Sequence, residues 1–353
     1  MHLPRLFMLL TALSLADMAS ANGPVVIDKP SGEYQLPQRA IDTNEIPLMV
    51  LDADAPDDEP LPYYRIAEDS YMLFGNIAEL DEENRGWNGN AGFVVTKEGV
   101  FVIDALGTPK LGRRLLATIR SVTQQPVRYL LLTHNHPDHA YGAIAFRRDS
   151  GAEVIAHAGM LDYLGSEQLH SSVAYRRELL GSDMDGFEAV EPDMVIDPPA
   201  YGEQRLSLGD KTFVIYNSGR HHSHGDLVVQ QLPQQILWIS DLAFNQRTTF
   251  MGDGNSRQAI ESQQWLLQQF ADAKLMVPGH GSAQRAPFTM VSNTRSYMQR
   301  LREEMGEAVE AGIALQQAVE RSDFPEWHTT RLYQLNHRAN AHFVYREMEL
   351  ELF

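Results

Sequence analysis

The chain has 353 residues, 43% hydrophobic and 22% charged, which excludes an intrinsically disordered protein and provides for a large core. A formal net charge of −18 argues against nucleic acid as a partner, because most of such a surface would repel phosphate. There is no cysteine, so disulfides, a thiol nucleophile and thiolate metal ligands are excluded, and any metal must be held by nitrogen and oxygen.

At the start, Arg5 precedes an apolar run from Leu6 to Ala16, and Ala19-Ser20-Ala21 supplies the small residues of a cleavage site. The expectation is a signal peptide over 1–21 and a periplasmic or secreted mature chain. A membrane anchor is the competing reading. The run is shorter than the roughly 20 residues needed to span a bilayer, and Asp17 follows it directly, so no stable membrane insertion is expected. Residues 22–62, rich in Pro, Asp, Glu and Gly, read as an irregular extension on the surface.

From Tyr63 the pattern changes. Short apolar runs at 71–74, 92–95 and 100–103 predict strands, the last two joined by the turn Thr96-Lys97-Glu98-Gly99. Leu111, Leu115, Leu116 and Ile119 recur at helical spacing after Pro109, and 127–132 predicts a buried strand. Helices are expected near 140–148, 158–181 and 257–271. Strands are expected at 153–157, 204–208, 212–217, 226–231, 235–240 and 274–277. Beyond Pro287 only helices are expected, near 288–310, 312–320 and 329–348. Two sheets between helical layers accommodate this count, giving an α/β chain with a body over 63–285 and a helical region over 286–353.

The densest chemistry is Thr133-His134-Asn135-His136-Pro137-Asp138-His139, three imidazoles and a carboxylate directly after a predicted buried strand. Strand ends of this kind are where α/β folds place their sites. Alternate residues of a tight loop point to different sides, so one loop can serve two neighbouring cations. Histidines capping the next helix are the bland alternative. With 13 histidines in the whole chain, metal binding is the better account of so packed a cluster.

HNHPDH resembles the HxHxDH signature of the metallo-β-lactamase superfamily, and four further elements resemble that family in order. Val102-Ile103-Asp104 is similar to a strand whose aspartate buttresses the metal loop without ligating metal. Gly219-Arg220-His221-His222-Ser223-His224-Gly225-Asp226 is similar to GxxHTxGD with Ser223 in place of Thr, which selects His222 and leaves the roles of His221 and His224 open. Leu237-Trp238-Ile239-Ser240-Asp241 resembles the strand whose aspartate bridges two metals, and Val277-Pro278-Gly279-His280-Gly281 resembles the closing PGHG turn. The resemblance implies a four-layer αββα sandwich. It implies His134, His136 and His222 on one ion, Asp138, His139 and His280 on a second, and Asp241 with a hydroxide between them. Asp138 and Asp241 are then the carboxylates on which turnover depends. Nitrogen and oxygen donors suit two zinc ions, with iron or manganese as alternatives.

That arrangement implies a hydrolase acting on an ester, thioester, lactone or amide of a small molecule. Most similar is an exported branch found beside quinoprotein dehydrogenases and sulfur-oxidation proteins. Rival readings are a β-lactamase, a glyoxalase-type thioesterase, and a non-catalytic metal- or cofactor-binding accessory factor of a periplasmic redox system. The loop from Phe244 to Gly254 is the expected source of substrate choice. In it Arg247 would bind a substrate carboxylate or, on the blander reading, pair with Asp253.

Overall fold

A computed structural model describes residues 50–352; the expected leader and residues 22–49 of the extension lie outside the described residues. Residues 50–62 carry no helix or strand, yet they are not merely a surface tail. Leu61 is fully buried and its N–H donates to Thr118 Oγ1 at 2.7 Å, while Arg113 and Arg114 reach back to Asp57 and Glu59.

Seven strands form the first sheet in sequence order: β1 (Tyr64–Ala67), β2 (Ser70–Leu73), β3 (Ala91–Thr96), β4 (Gly99–Ile103), β5 (Val127–Leu131), β6 (Glu153–His157) and β7 (Met194–Ile196). Pairing is antiparallel up to β4 and parallel from β4 to β7. Five strands form the second sheet in the order β12 (Leu275–Pro278), β11 (Ile236–Ser240), β10 (Asp226–Leu232), β9 (Lys211–Gly219), β8 (Glu203–Leu208). The periodicity did not foresee β1 and β7. They have four and three residues and lie at the sheet's two edges, too short for alternation to register.

The side-chain alternation of β4 explains the layering. Phe101 and Ile103 enter the core between the sheets, where Phe101 stacks on Phe213 with centroids 3.9 Å apart, whereas Val100 and Val102 face the outer helices. In β10, Leu227 and Val229 likewise face inward and Val228 outward. The sheets approach so closely that a Cβ on Gly92 would lie 2.2 Å from the Trp238 ring.

Helix α1 (Pro109–Val122) is capped by Thr108, whose Oγ1 accepts from Leu111 N, and Pro109 occupies the first turn. The helix expected near 140–148 is two pieces, α2 (Pro137–Ala140) and α3 (Ala143–Asp149), broken at Gly142, where a Cβ would meet Ala105 O at 1.9 Å. The one expected over 158–181 is also two, α4 (Gly159–Leu164) and α5 (Glu167–Leu180), the second capped by Ser166. With α1 and α3, α5 covers the first sheet. The second sheet is covered by α6 (Ser256–Gln269) and the start of α7 (Thr289–Glu310), completing four layers.

The rest of α7, α8 (Leu315–Arg321) and α9 (Tyr333–Glu351) share a separate core of Tyr297, Leu301, Met305, Phe324, Ala341 and Val344. This helical region is not held off from the sandwich. Asn336 and Asn340 of α9 donate to the carbonyls of Thr248 and Thr249 in the loop after β11. No helix among the described residues is long and apolar enough to cross a membrane.

Candidate metal centre

Strand ends from both sheets converge on one spot: Asp104 after β4, residues 133–139 after β5, residues 220–225 between β9 and β10, Asp241 after β11 and His280 after β12. Asn90 stitches the sheets together there. Its Nδ2 donates to the carbonyls of Pro278 and Gly281, and its N–H to Gly279 O.

The seven residues singled out from the sequence all meet at this point. Ligand atoms of His134, His136, His222 and Asp241 lie within 4.8 Å of one another, as do those of Asp138, His139 and His280. Asp241 lies between the two groups, its Oδ2 3.1 Å from His222 Nε2 and 3.3 Å from His280 Nε2, its Oδ1 3.5 Å from His139 Nε2. Asp138 Oδ2 is 3.3 Å from His280 Nε2 and 3.7 Å from His139 Nε2. Donors of one tetrahedral zinc ion, each about 2.1 Å from it, stand about 3.4 Å apart, so these spacings fit shared cations.

Hydrogen bonds on the far side of four of the five rings select the nitrogen that faces inward, whereas His222 Nδ1 is buried without a partner. His139 Nδ1 donates to Asp104 Oδ2 at 2.8 Å, and His280 Nδ1 to Asn88 O at 2.6 Å. His134 Nδ1 lies 3.1 Å from Thr133 Oγ1 and 3.3 Å from Ser240 Oγ. His136 is turned the other way round: Nε2 donates to Asp253 Oδ2 at 3.1 Å, and Nδ1 faces His222 Nε2 at 2.9 Å. Such outer partners fix tautomer and orientation in metal sites. The inward atoms His134 Nε2, His139 Nε2 and Asp241 Oδ1 are buried with no hydrogen-bond partner, a costly state that a bound cation would relieve.

Asp104 buttresses the loop as the resemblance implied. Its carboxylate accepts from Thr133 N, Thr133 Oγ1 and His139 Nδ1. Asp226 shapes the other loop, accepting from the N–H groups of His222 and Ser223 and from Ser223 Oγ. Gly279 must be glycine, because a Cβ there would sit 1.8 Å from Asp241 Oδ1.

Electrostatics favour a cation. Burial raises the carboxyls of Asp138 and Asp241, yet the surrounding imidazoles more than offset it, and both stay below the usual carboxylate range. Burial, then neighbouring His139, holds His134 well below its ordinary value. For His139, burial works against the charged form, but Asp241, Asp138 and Asp104 together push it up to about 10, so proton and cation compete for Nε2.

Above these residues opens a cleft of about 430 Å³. Arg247 lines it but does not pair with Asp253. Its Nη2 lies 3.7 Å from Glu79, while Asp253 takes His136 and Gln168 instead. The expected Arg247–Asp253 bridge fails because Asp253 reaches across the cleft to α5. His221 is buried and pushed down to about 4 by burial, with Nδ1 unpartnered, and belongs to neither group of ligands. His224 lies 3.3 Å from Arg220 Nη2, also outside both groups. The sequence reading missed Asn88, the Asp253–His136 contact and the buried Arg176 at the cleft wall. Asn88 acts through its backbone and the other two depend on tertiary contacts, so no local signal marked them.

A sequence model of the family described as the metallo-beta-lactamase superfamily matches residues 84–280. UPF0173 metal-dependent hydrolases of Brucella canis and Brucella suis are each 38% identical over 85 residues, 23% of this chain and 34% of those proteins. The chain thus spans about a third of the length of the curated relatives it matches. Among solved structures, a metallo-beta-lactamase from Pontibacter korlensis is 22% identical with a TM-score of 0.52, covering 68% of this chain and 99% of that one. A stereoselective inverting sec-alkylsulfatase from Pseudomonas sp. is 15% identical with a TM-score of 0.66, covering 96% of this chain and 60% of that one. At these identities the structural likeness speaks for the fold.

Proposed function

Since this chain belongs to the metallo-beta-lactamase superfamily, we propose that it is a metal-dependent hydrolase of a small molecule, holding two zinc ions through His134, His136, Asp138, His139, His222, Asp241 and His280. The observation that carries this reading is the set of inward-facing, buried and unpartnered donor atoms at the floor of an open cleft. Two zinc ions in that position would supply hydroxide at neutral pH and polarise the bond under attack, which is assigned to an ester, thioester, lactone or amide. Asp104, Asn88 and Asp253 keep His139, His280 and His136 oriented, and Asp241, whose carboxylate faces His222, His280 and His139, would lower the repulsion between two bound cations. Action after export, in the periplasm or outside the cell, is part of the same proposal, supported by the composition of residues 1–21.

The test is elemental analysis of the purified chain together with a chromogenic panel of lactam, lactone, thioester, phosphodiester and alkyl sulfate substrates. The expected result is two zinc per chain and turnover of one class. Lactam turnover would identify a β-lactamase and thioester turnover a glyoxalase-type enzyme. Bound zinc with no turnover of any class would leave a metal-binding accessory protein, and no bound metal after reconstitution would end the enzyme reading. Asp241→Ala and His136→Ala should each lose turnover by several orders of magnitude while the far-ultraviolet circular dichroism stays native. Full activity in either remetallated variant would contradict the assigned site.

A further inference from the structure

The cleft carries two features that cation binding does not use. The first is a pair of buried guanidinium groups. Arg176 of α5, 5% exposed, makes no ion pair with an acidic side chain among the described residues; Nη1 donates to Gly107 O, and the group lies 5.5 Å over the Tyr141 ring. Arg247, 8% exposed, has its Nε buried without a partner. Its Nη1 lies 2.9 Å from His280 Nδ1, a nitrogen whose proton is already given to Asn88 O, so no good acceptor is present there. Arg247 Nη2 does reach the half-exposed Glu79 at 3.7 Å and Arg176 lies in the field of Asp138, but neither guanidinium donates a close hydrogen bond to a carboxylate, so a ligand anion would supply the acceptor that each lacks.

The second feature is an apolar rim. Tyr175 on α5 and Leu335 on α9 are each 56% exposed although both border the cleft, and Phe250 and Ala339 extend the same wall. Phe250 is held edge-on against Phe343 of α9, centroids 6.0 Å apart, so the wall continues along that helix. Large apolar side chains left in water beside a polar floor mark a surface that a ligand covers.

We infer that the substrate is a small amphiphilic organic anion, its charged group held by Arg176 and Arg247 and its apolar part lying against Tyr175, Phe250 and Leu335. This rests on the hydrolase reading for the claim that the ligand is a substrate; the binding itself does not depend on turnover. Guanidinium groups form charge-assisted hydrogen bonds with carboxylate, sulfate or phosphate, so the class is defined by one negative group and an aliphatic or aromatic body.

Octanoate, 1-octanol and acetate separate the two parts when titrated calorimetrically into the zinc-loaded protein. Octanoate is expected to bind about tenfold or more tighter than either 1-octanol, which lacks the charge, or acetate, which lacks the tail. Arg176→Gln should shrink the advantage of octanoate over 1-octanol about tenfold, with Arg176→Lys recovering part of it, which separates the guanidinium from direct carboxylate–zinc contact. Leu335→Gln, at an exposed position where folding is not at stake, should weaken octanoate and leave acetate unchanged. Equal binding of octanoate and 1-octanol, or of octanoate and acetate, would overturn the inference without recourse to any variant. So would an unchanged octanoate preference in folded Arg176→Gln. Zinc-loaded protein that binds octanoate as described but turns over no substrate would instead refute the hydrolase reading alone. Turnover of neutral short esters with no preference among the three probes would refute only the amphiphile.

Discussion

Asp104 stands at a φ of 62°, a left-handed conformation that aspartate tolerates better than most residues, and this turns its carboxylate back onto Thr133 and His139. It contributes no donor to either group of ligands, yet three of their supports end on it. Asp104→Ala is therefore expected to lower zinc affinity about 10- to 100-fold, measured by competition with a coloured chelator, and to leave the fold intact. Unchanged affinity would mean that the loop holds its shape without the buttress. At this scale the sequence was highly legible. The residues proposed as ligands lie in short runs at strand ends, so His134 to His139 stand out as a local pattern and the turn at His280 as a family-like motif. Their outer partners are legible only where they lie in a motif themselves, as Asp104 does and as Asn88, acting through a carbonyl, does not.

Among the elements, α9 has the least local role and the most consequence for the cleft. Asn340 is fully buried in it and spans three partners: Nδ2 donates to Thr249 O and Tyr297 Oη, and Oδ1 accepts from Met251 N. Asn340→Ala leaves two backbone groups of the 247–255 loop unpaired. The expected cost is about 2–3 kcal/mol in a denaturant melt, with faster hydrogen exchange at Met251 than in the native chain. A loss below about 0.5 kcal/mol would show that the loop is held by Asn336 and the sandwich alone. The helical period of 288–310 and 329–348 was plain from sequence, but not that the second helix would form a wall of the cleft. That is decided by amide hydrogen bonds between residues about ninety positions apart, which leave no periodic trace.

For the molecule as a whole, one buried imidazole outside both groups of the metal centre predicts part of how stability depends on pH. His337 joins α7, α8 and α9, with Nδ1 3.0 Å from Tyr297 Oη and Nε2 3.1 Å from Ser322 Oγ, and burial pushes it down to about 4. Between that value and the ordinary 6.5 the unfolded chain binds a proton that the folded chain refuses. The contribution of His337 to stability is thus full above about pH 6.5 and is lost as the pH drops toward 4. In zinc-free protein, the unfolding free energy of His337→Gln should decline less steeply over this window than that of the native chain. Parallel declines would place the dependence on other groups.

Composition and periodicity were enough to predict two sheets between helical layers and a metal-binding cluster at His134 to His139, and the resemblance of five short motifs to the metallo-β-lactamase superfamily implied the full set of seven residues. The reason is physical: buried strands need continuous apolar runs, and ligands at strand ends need fixed spacings, so both leave local marks. The tertiary structure alone decided that two sheets bring these ends within hydrogen-bonding distance of one another. It also decided that Asp253 turns to His136 rather than to Arg247, and that Arg176, Arg247 and α9 shape the space above the site. Those outcomes depend on which surfaces pack together and on where buried charges find partners, and neither is written in the spacing of residues along the chain.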